Sequence, residues 1–368
     1  MTAGFAVFLV GHGLLHLIGV AKAFRLAALP QLIQPMTPLT GALWLVAAVL
    51  LVGSAGAIYL WPRWWWGLAV LAAGVSTVAI VPSWADAKIG AAANLVVLAG
   101  ALFGYLAQGP GSLRASYEDD VARASVMETP VAPLQEADLA TLPEPVQRYL
   151  RVTGAVGQPR VVNFRARASG RIRSGRDSRW MPLAVEQHNV VAGRMARYFY
   201  FGGSMLAVPI QGYHRYAGPS ATMQVKVAAV VRVVDASGPE MDRSETVTLF
   251  NDMCLFAPGS LVDPAISWEP VDRHTARAAF SNAGHAIRAE LSFNDAGELI
   301  DFWSDDRYQV SADGTSAKSI RWSTPLRDYR RFGSVRLASK GEARWHEPGG
   351  VYAYIELSTD EVRYNVRP

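Results

Sequence analysis

The chain has 368 residues, of which 51% are hydrophobic and 18% are charged, and its formal net charge is +4. This length allows two or three domains, and the small basic excess is not gathered in a polybasic tract, which argues against a nucleic-acid-binding protein. A single cysteine, Cys254, excludes an intrachain disulfide.

The first 110 residues are strongly apolar and carry only five charged side chains. No charge interrupts residues 1–21, 37–61, 64–85 and 89–113. Each stretch is long enough to cross a bilayer core, which takes roughly 20 apolar residues in a helix. The pattern predicts a four-helix transmembrane bundle over residues 1–108, with the tryptophans around Pro62 at the headgroup level.

The charges that flank the first stretch predict the orientation of this multi-pass unit. No positive charge precedes it, whereas Lys22 and Arg25 follow it directly. Positive residues favour the cytoplasmic side, so the N-terminus is expected outside the cytoplasm. Four antiparallel spans return the chain to the starting side. We therefore expect a protein of the bacterial inner membrane with an extracytoplasmic C-terminal domain.

Polar residues inside the apolar stretches predict a cluster in the membrane. His12 and His16 lie four residues apart and share a helical face, Asp86 and Lys88 directly precede the fourth stretch, and Asn94 lies near its start. Such a cluster would relay protons, bind a metal or bind a lipid headgroup. Neutral histidines that only pack between helices explain the same residues. Neither a metal nor a cofactor is predicted, because no other stretch contains a cysteine or histidine.

The rest of the chain has the pattern of a soluble, mainly-β domain. Residues 109–135 are polar with scattered Gly and Pro, which is typical of a linker. Residues 136–368 contain two helical patterns, at 145–152 and 240–256, among short alternating segments separated by turns. The fold class is thus membrane α plus soluble mainly-β, with a curved antiparallel sheet that carries one or two helices.

No established catalytic motif occurs in the sequence: it lacks G-x-S-x-G, a P-loop and H-E-x-x-H. This favours a binding protein over an enzyme. The inner face of a curved sheet would enclose an apolar cavity for an acyl chain or another small hydrophobic molecule. The candidate lining residues are Phe250, Met253, Phe256, Trp268, Trp303 and Tyr308.

A basic patch near the end of the domain offers a second contact with lipid. Arg327, Arg330 and Arg331 surround Tyr329, and cations beside aromatic rings would bind anionic headgroups. A solvated loop accounts for these residues equally well.

Several segments resemble a bacterial family known only as a domain of unknown function. In the soluble part they are Leu142–Leu150, Phe250–Pro258, Ser267–Trp268, Phe293–Leu299 and Asp306–Tyr308; in the apolar part they are Gly11–Leu17 and Trp84–Lys88. This resemblance implies no activity. The sheet-plus-helix pattern is also similar, more loosely, to the half-barrel of bacterial lipoprotein carriers, and that likeness implies a cavity between the sheet and a helix.

Three functions remain open on the sequence alone. The first is a membrane-tethered domain that binds a lipid or another hydrophobic ligand. The second is a proton-linked or redox element in the membrane that uses His12, His16 and Asp86. The third is a structural partner in envelope assembly, and the sequence does not identify the protein that it would bind.

Overall fold

The computed structural model describes residues 2–124, 132–206, 208–310 and 316–367. The chain divides into two compact units, Met1–Ser116 and Tyr117–Pro368. N-terminal helices make up the first unit, and a curled antiparallel sheet makes up most of the second.

The helices are α1 (Thr2–Ala23), α2 (Pro38–Leu60), α3 (Trp65–Ile80), α4 (Trp84–Gln108), α5 (Leu113–Ala124), α6 (Glu144–Thr153) and α7 (Pro239–Phe256). The strands are β1 (Asn163–Ile172), β2 (Met181–Val190), β3 (Ala196–Met205), β4 (Val208–Ala217), β5 (Ser220–Val227), β6 (Val231–Ser237), β7 (Ile266–Pro270), β8 (Thr275–Asn282), β9 (His285–Phe293), β10 (Leu299–Ser304), β11 (Tyr308–Val310), β12 (Ala317–Ser319), β13 (Trp322–Ser323), β14 (Leu326–Phe332), β15 (Val335–Glu347) and β16 (Gly350–Tyr364).

In the first unit, each of the helices α1–α4 packs against the next, and α4 also touches α1. Among the described residues, three helical stretches are long and apolar enough to cross a membrane: Ala3–Ala23, Pro38–Leu60 and Trp65–Ala124. The expected four separate spans are therefore not confirmed. The third stretch runs on because only a short 3-10 turn, Val81–Ser83, separates α3 from α4.

Part of the predicted linker is helical. Residues 113–124 form α5, and residues 125–131 lie outside the described residues. The end of α5 belongs to the second unit, where Asp120 accepts hydrogen bonds from Tyr213 and Arg215 on β4 at 2.8 and 3.1 Å.

The second unit is built on one long antiparallel sheet. Its strand order is β6-β5-β4-β3-β2-β1-β16-β15-β13-β10-β9-β8-β7, with β14 paired to β15. A first meander, β1–β6, thus forms one half, and the later strands form the other. The two halves meet where β1 pairs with β16, and a separate ribbon, β11–β12, lies off this sheet.

Helix α7 accounts for the curl of the sheet. It connects β6 with β7, which are the two edges, and it packs against strands near both of them, including β5, β8 and β9. A sheet can reach one helix from both edges only by bending around it. The result is a half-barrel with α7 on its concave side, and the edges β6 and β7 are not paired with each other in the described part of the chain.

The helices of the second unit begin and end close to their predicted positions. In α7, Gly238 precedes Pro239 in the first turn, and Pro258 follows the last turn. In α6, Gly154 takes the left-handed conformation, with φ of 72°, that ends many helices.

Several strands differ from the expectation. The alternation over residues 223–234 predicts one strand, but the structure has two, β5 and β6, and the turn between them places Ala228 and Ala229 at positive φ. The sequence pattern predicts separate strands at 333–339 and 341–347, which are largely one strand, β15, and it gives no strand signal for β2 or β14. Two alanines give no turn signal, and this explains the first difference.

The alternation in β1 separates an inner face from an outer one. Phe164, Ala166 and Ala168 are buried, whereas the arginines between them point outward. Arg167 pairs with Glu361 at 3.9 Å, and Arg171 pairs with Glu356 at 2.8 Å. The arginine row is therefore a solvated outer face with carboxylate partners on the neighbouring strand.

Gly170 lies where the backbones of β1 and β16 are in close contact. A Cβ atom at this position would lie 1.9 Å from the backbone oxygen of Glu356. We expect Gly170→Ala to lower the free energy of unfolding by about 1–3 kcal/mol, because the strands must separate to admit the methyl group. Gly202→Ala in β3, whose Cβ would meet no atom within 4 Å, is the matched control. Equal midpoints for both variants in denaturant titrations of the full chain would contradict this.

Candidate functional site

The candidate site is a cavity of about 530 Å³ between α7 and the concave face of the half-barrel. This volume is in the range of pockets that bind small molecules. Both halves of the sheet contribute to the wall, so the cavity exists only because the sheet curls around the helix.

Most of the cavity wall is apolar. Alternate residues of the strands point inward and supply small aliphatic and aromatic side chains. The principal ones are Ala166, Ala168, Leu183, Val185, Phe199, Phe201, Met223, Trp322, Leu326, Ala343, Trp345, Tyr354 and Leu357. A wall of this composition favours a hydrocarbon chain over a polar small molecule.

The floor of the cavity, in contrast, is a stripe of mostly polar residues on α7. The lining positions recur every three or four residues, which places them on one helical face. They are Met241, Ser244, Glu245, Thr248, Asn251, Asp252, Leu255 and Phe256. The cavity thus has an apolar wall opposite a polar floor.

Arg197 on β3 links this floor to the sheet through two buried ion pairs. Its Nε donates to Oδ2 of Asp252 at 2.7 Å, and its Nη1 donates to Oε2 of Glu245 at 3.0 Å. The side chains of Arg197, Asp252 and Glu245 are 6%, 7% and 0% exposed, respectively. The amides of Gln187 and Asn189 on β2 donate to the same Asp252 oxygen at 3.1 and 3.0 Å.

Arg307 approaches the same floor from the other half of the sheet. Its Nη1 donates to the carbonyl oxygen of Ser244 at 3.1 Å and to Thr248, and it lies 3.7 Å from Oε1 of Glu245. The guanidinium also stacks on Trp322, 4.5 Å from the ring centroid. Two arginines and two carboxylates thus form one compact ionic network.

His214 on β4 completes the network without a hydrogen bond to it. Its Nε2 lies 3.4 Å from Oε1 of Glu245 and makes no hydrogen bond to the described protein atoms. Burial lowers the pKa of His214 to about 4, although Glu245 opposes this shift. Burial alone would raise the pKa of Glu245, but His214, Arg197 and Arg307 together lower it to about 2. At neutral pH the imidazole is neutral and the carboxylate is ionised.

The structure places only some of the six predicted lining residues at the cavity. Phe256 and Tyr308 line the cavity. Phe250 and Met253 lie on the opposite face of α7, where Phe250 stacks on Phe280 with ring centroids 5.1 Å apart. That face is packed against the sheet and leaves no space for a ligand.

The two predicted tryptophans do not reach the cavity. Trp268 packs against Phe250 in the core, with ring centroids 6.2 Å apart, and Trp303 stacks under the guanidinium of Arg321 at 3.9 Å. Sequence reasoning missed Arg197, His214 and the polar stripe of α7. The three-to-four-residue spacing of that stripe was visible, but it is also the pattern of an exposed helix face.

The predicted basic patch is dispersed along β14. Arg327 donates to Glu342 at 2.8 Å on the neighbouring strand, and Arg330 donates to the backbone oxygen of Thr359 at 2.5 Å. Arg331 is exposed. Strand alternation and these bonds separate the cations, so the three do not form one surface for phosphate groups.

In the first unit, the structure brings together three of the five predicted polar residues. His12 Nε2 donates to Asn94 Oδ1 at 2.9 Å, and Ser76, 2.8 Å from His16 Nε2, donates to the same Asn94 oxygen at 2.9 Å. Asn94 in turn donates to Thr77 at 3.0 Å. Ser76 and Thr77 were not predicted.

Asp86 and Lys88 are not hydrogen-bonded to this network. Asp86 accepts the backbone N–H groups of Ile33 and Gln34 at 3.1 and 2.8 Å and lies 3.6 Å from Lys22, so it anchors the loop between α1 and α2. Lys88 is exposed. A cleft of about 230 Å³ has both histidines and Asp86 on its walls. No group of three His, Cys, Asp or Glu side chains within the described ranges is placed to hold a metal ion.

Comparison with known proteins identifies the family. The model of a family of unknown function, DUF6544, matches residues 132–357, and the chain belongs to this family. The match contains the five resembling segments of the soluble part, whereas Gly11–Leu17 and Trp84–Lys88 lie outside it. No curated protein matches the chain.

Two solved structures are weakly similar. One is a DUF1329 family protein from Desulfovibrio piger, with 10% identity over 64% of this chain and 95% of that chain and a TM-score of 0.33. The other is a putative outer membrane lipoprotein-sorting protein domain from Vibrio parahaemolyticus, with 11% identity, 55% and 85% coverage and a TM-score of 0.31. Similarity at this level says nothing about a ligand.

The ion pairs of Arg197 give a stability prediction. Arg197→Met would leave two buried carboxylates short of a counter-charge, so we expect a loss of about 3–5 kcal/mol in the free energy of unfolding. Adding Asp252→Asn removes one of those carboxylates and should restore part of the loss. The control, Arg277→Met, breaks an exposed pair with Glu290 and should cost less than about 1 kcal/mol. A double variant less stable than Arg197→Met would oppose this account of the network.

The lowered pKa values predict instability in acid. Burial and Arg165 also lower the pKa of His188 to about 4. In the unfolded chain the pKa of a histidine is near 6.5, so His214 and His188 bind a proton more readily there than in the folded protein. Stability should therefore fall as the pH drops from about 6.5 to 4, and fall further between about 4.5 and 2 as Glu245 is protonated. His214→Gln should flatten the first part of this profile, measured by thermal unfolding, whereas His285→Gln on β9 should not. An unchanged profile in His214→Gln would refute the assignment.

Proposed function

We propose that this member of the DUF6544 family binds a lipid or another hydrophobic ligand in the cavity of its half-barrel. The observation that carries the proposal is the cavity itself, about 530 Å³ in volume, with an apolar wall and α7 as its floor. A packed core would have no such space, because protein interiors rarely contain voids larger than a water molecule.

The membrane anchor is part of the same proposal. Large apolar side chains point outward from all four helices of the first unit, among them Val7, Leu39, Val78 and Leu95, which are 57–74% exposed. Exposed apolar surface on this scale is unfavourable in water and favourable in lipid. We place α1–α4 in the bacterial inner membrane.

The packing of α3 against α4 supports four crossings. Trp65 at the start of α3 lies against Gly104 near the end of α4, and Ser76 near the end of α3 donates to Asn94 in the first half of α4. The two helices are thus antiparallel, and the chain reverses at the 3-10 turn between them. Lys22 and Arg25 follow the first crossing, and together with four crossings they support a half-barrel outside the cytoplasm.

A proton-linked role for the membrane histidines has less support. Asp86, the ionisable partner that such a role requires, is bonded to a loop and to Lys22. The hydrogen bonds between His12, Asn94 and Ser76 join three helices, which is what a structural role in packing requires.

Filling the cavity tests the proposed function. Ala168 is buried on the inner face of β1 and lines the cavity, so Ala168→Phe should place a ring in the space of the ligand. We expect a several-fold decrease in the lipid that co-purifies with the full chain, quantified by mass spectrometry of organic extracts. The decrease should be greatest for the lipid class that is more abundant in the purified protein than in the bulk membrane.

The matched control is Ser169→Phe, at the exposed neighbouring position on the outer face of β1. Both variants keep α1–α4 and the lipids bound around them, so the difference between them reports the cavity. Equal lipid content in the two folded variants, with no lipid class enriched in the unaltered chain, would rule out the proposed function.

A further inference from the structure

The polar floor of the cavity limits the charge that a ligand can bring into it. Its ionised groups are Arg197, Arg307, Glu245 and Asp252, and their charges sum to zero. His214 adds no charge at neutral pH, because burial lowers its pKa to about 4. The network is thus balanced without a ligand.

All but one of the other charged residues on the wall are in separate ion pairs. Lys340 lies 2.7 Å from Asp328, Glu342 pairs with Arg327 and Arg344, and Asp235 pairs with Arg232. Arg173 donates to the backbone oxygens of Ala353 and Arg176. Arg173 has no carboxylate partner among the described residues, but its guanidinium also stacks on Trp180 and Tyr352, 4.5 and 5.6 Å from the ring centroids, and it lies just after β1 rather than at the floor.

Two polar atoms at the floor nevertheless have unused hydrogen-bonding capacity. His214 Nε2 and Arg307 Nε are buried and make no hydrogen bond to the described protein atoms, and both residues line the cavity. The two side chains are neighbours, because His214 Nε2 and Arg307 Nη1 lie 3.4 and 3.7 Å from the same Oε1 of Glu245. Buried polar atoms without partners are rare and costly, which points to a polar ligand atom between them.

We propose that the ligand is a long-chain amphiphile whose headgroup is polar but uncharged, such as an alcohol or a glycerol ester, and that His214 and Arg307 bind this headgroup. A hydroxyl or carbonyl oxygen satisfies the two groups and leaves the charge balance intact. An ionised carboxylate or an ammonium group would be buried without a counter-charge, which is strongly unfavourable. This inference rests on the proposed function and specifies its ligand class.

The test compares two photoreactive probes that differ only in the headgroup. Dodecanol and dodecanoic acid, each with a diazirine on the chain, are cross-linked to the full chain in nanodiscs at about pH 8, where the acid is ionised. Peptides of the cavity wall are quantified, and labelling of α1–α4 in the same sample corrects for how much of each probe enters the bilayer. We expect the alcohol to label the cavity at least about tenfold more than the acid.

Two substitutions then shift the charge in opposite directions. Glu245→Gln leaves the floor with one excess positive charge and should reverse the preference toward the acid. Arg307→Met leaves one excess negative charge and should raise labelling by the matching dodecylamine probe. Each variant is scored by the ratio of probes within one sample, so reduced stability of one variant does not decide the result. Ser169→Phe, on the outer face, should keep the preference of the unaltered chain.

The outcomes separate the two proposals. If neither probe labels the cavity, the proposed function fails. If both label it and the acid equals or exceeds the alcohol in the unaltered chain, the cavity binds lipid but the uncharged headgroup is wrong. A preference for the alcohol that persists in Glu245→Gln would also overturn the inference, because the charge balance would then not be its cause.

Discussion

The two dissimilar faces of α7 are the constraint on which the architecture of the second unit depends. One face carries Phe250 and Met253 into the packed core against the later strands. The other carries Glu245 and Asp252, which both pair with Arg197 from the earlier strands, while Arg307 supplies the second positive charge. A helix with this division cannot pack tightly on both halves of the sheet. Apolar side chains pack one face of α7 against the later strands, and ion pairs connect the other face to the earlier strands. The cavity is the space that remains between α7 and the sheet.

Much of this fold follows from local sequence patterns. The bounds of α7 were predicted to within a residue, because Pro239, the acidic first turn and Pro258 are strong local signals. The segment Ser281-Asn282-Ala283-Gly284 likewise predicts a tight hairpin turn, and Ala283 and Gly284 take positive φ between β8 and β9. Family membership was also recognisable, because its segments lie within the matched residues.

The cavity floor was not predictable for a physical reason. Glu245 and Asp252 sit on a helix that, read alone, has an ordinary polar face, and such faces are usually solvated. Their partner Arg197 comes from a strand about fifty residues earlier, and only the tertiary curl of the sheet brings them together. The large residues of the helix, such as Phe250, were expected at the ligand, but they are better accommodated by the dry core. Size and hydrophobicity do not tell which of two apolar environments a side chain occupies.

The seam between β1 and β16 has a consequence for how the half-barrel is assembled. Arg171 lies opposite Glu356, 185 residues further along the chain, whereas most other strand pairs are local hairpins. Each half can therefore form early from short-range contacts, but neither is complete until this distant pairing closes. Non-local pairing of this kind slows folding, and until it occurs the edge of β1 is open to other chains. The order in which the two halves form and join is thus set by one pairing that is distant in sequence.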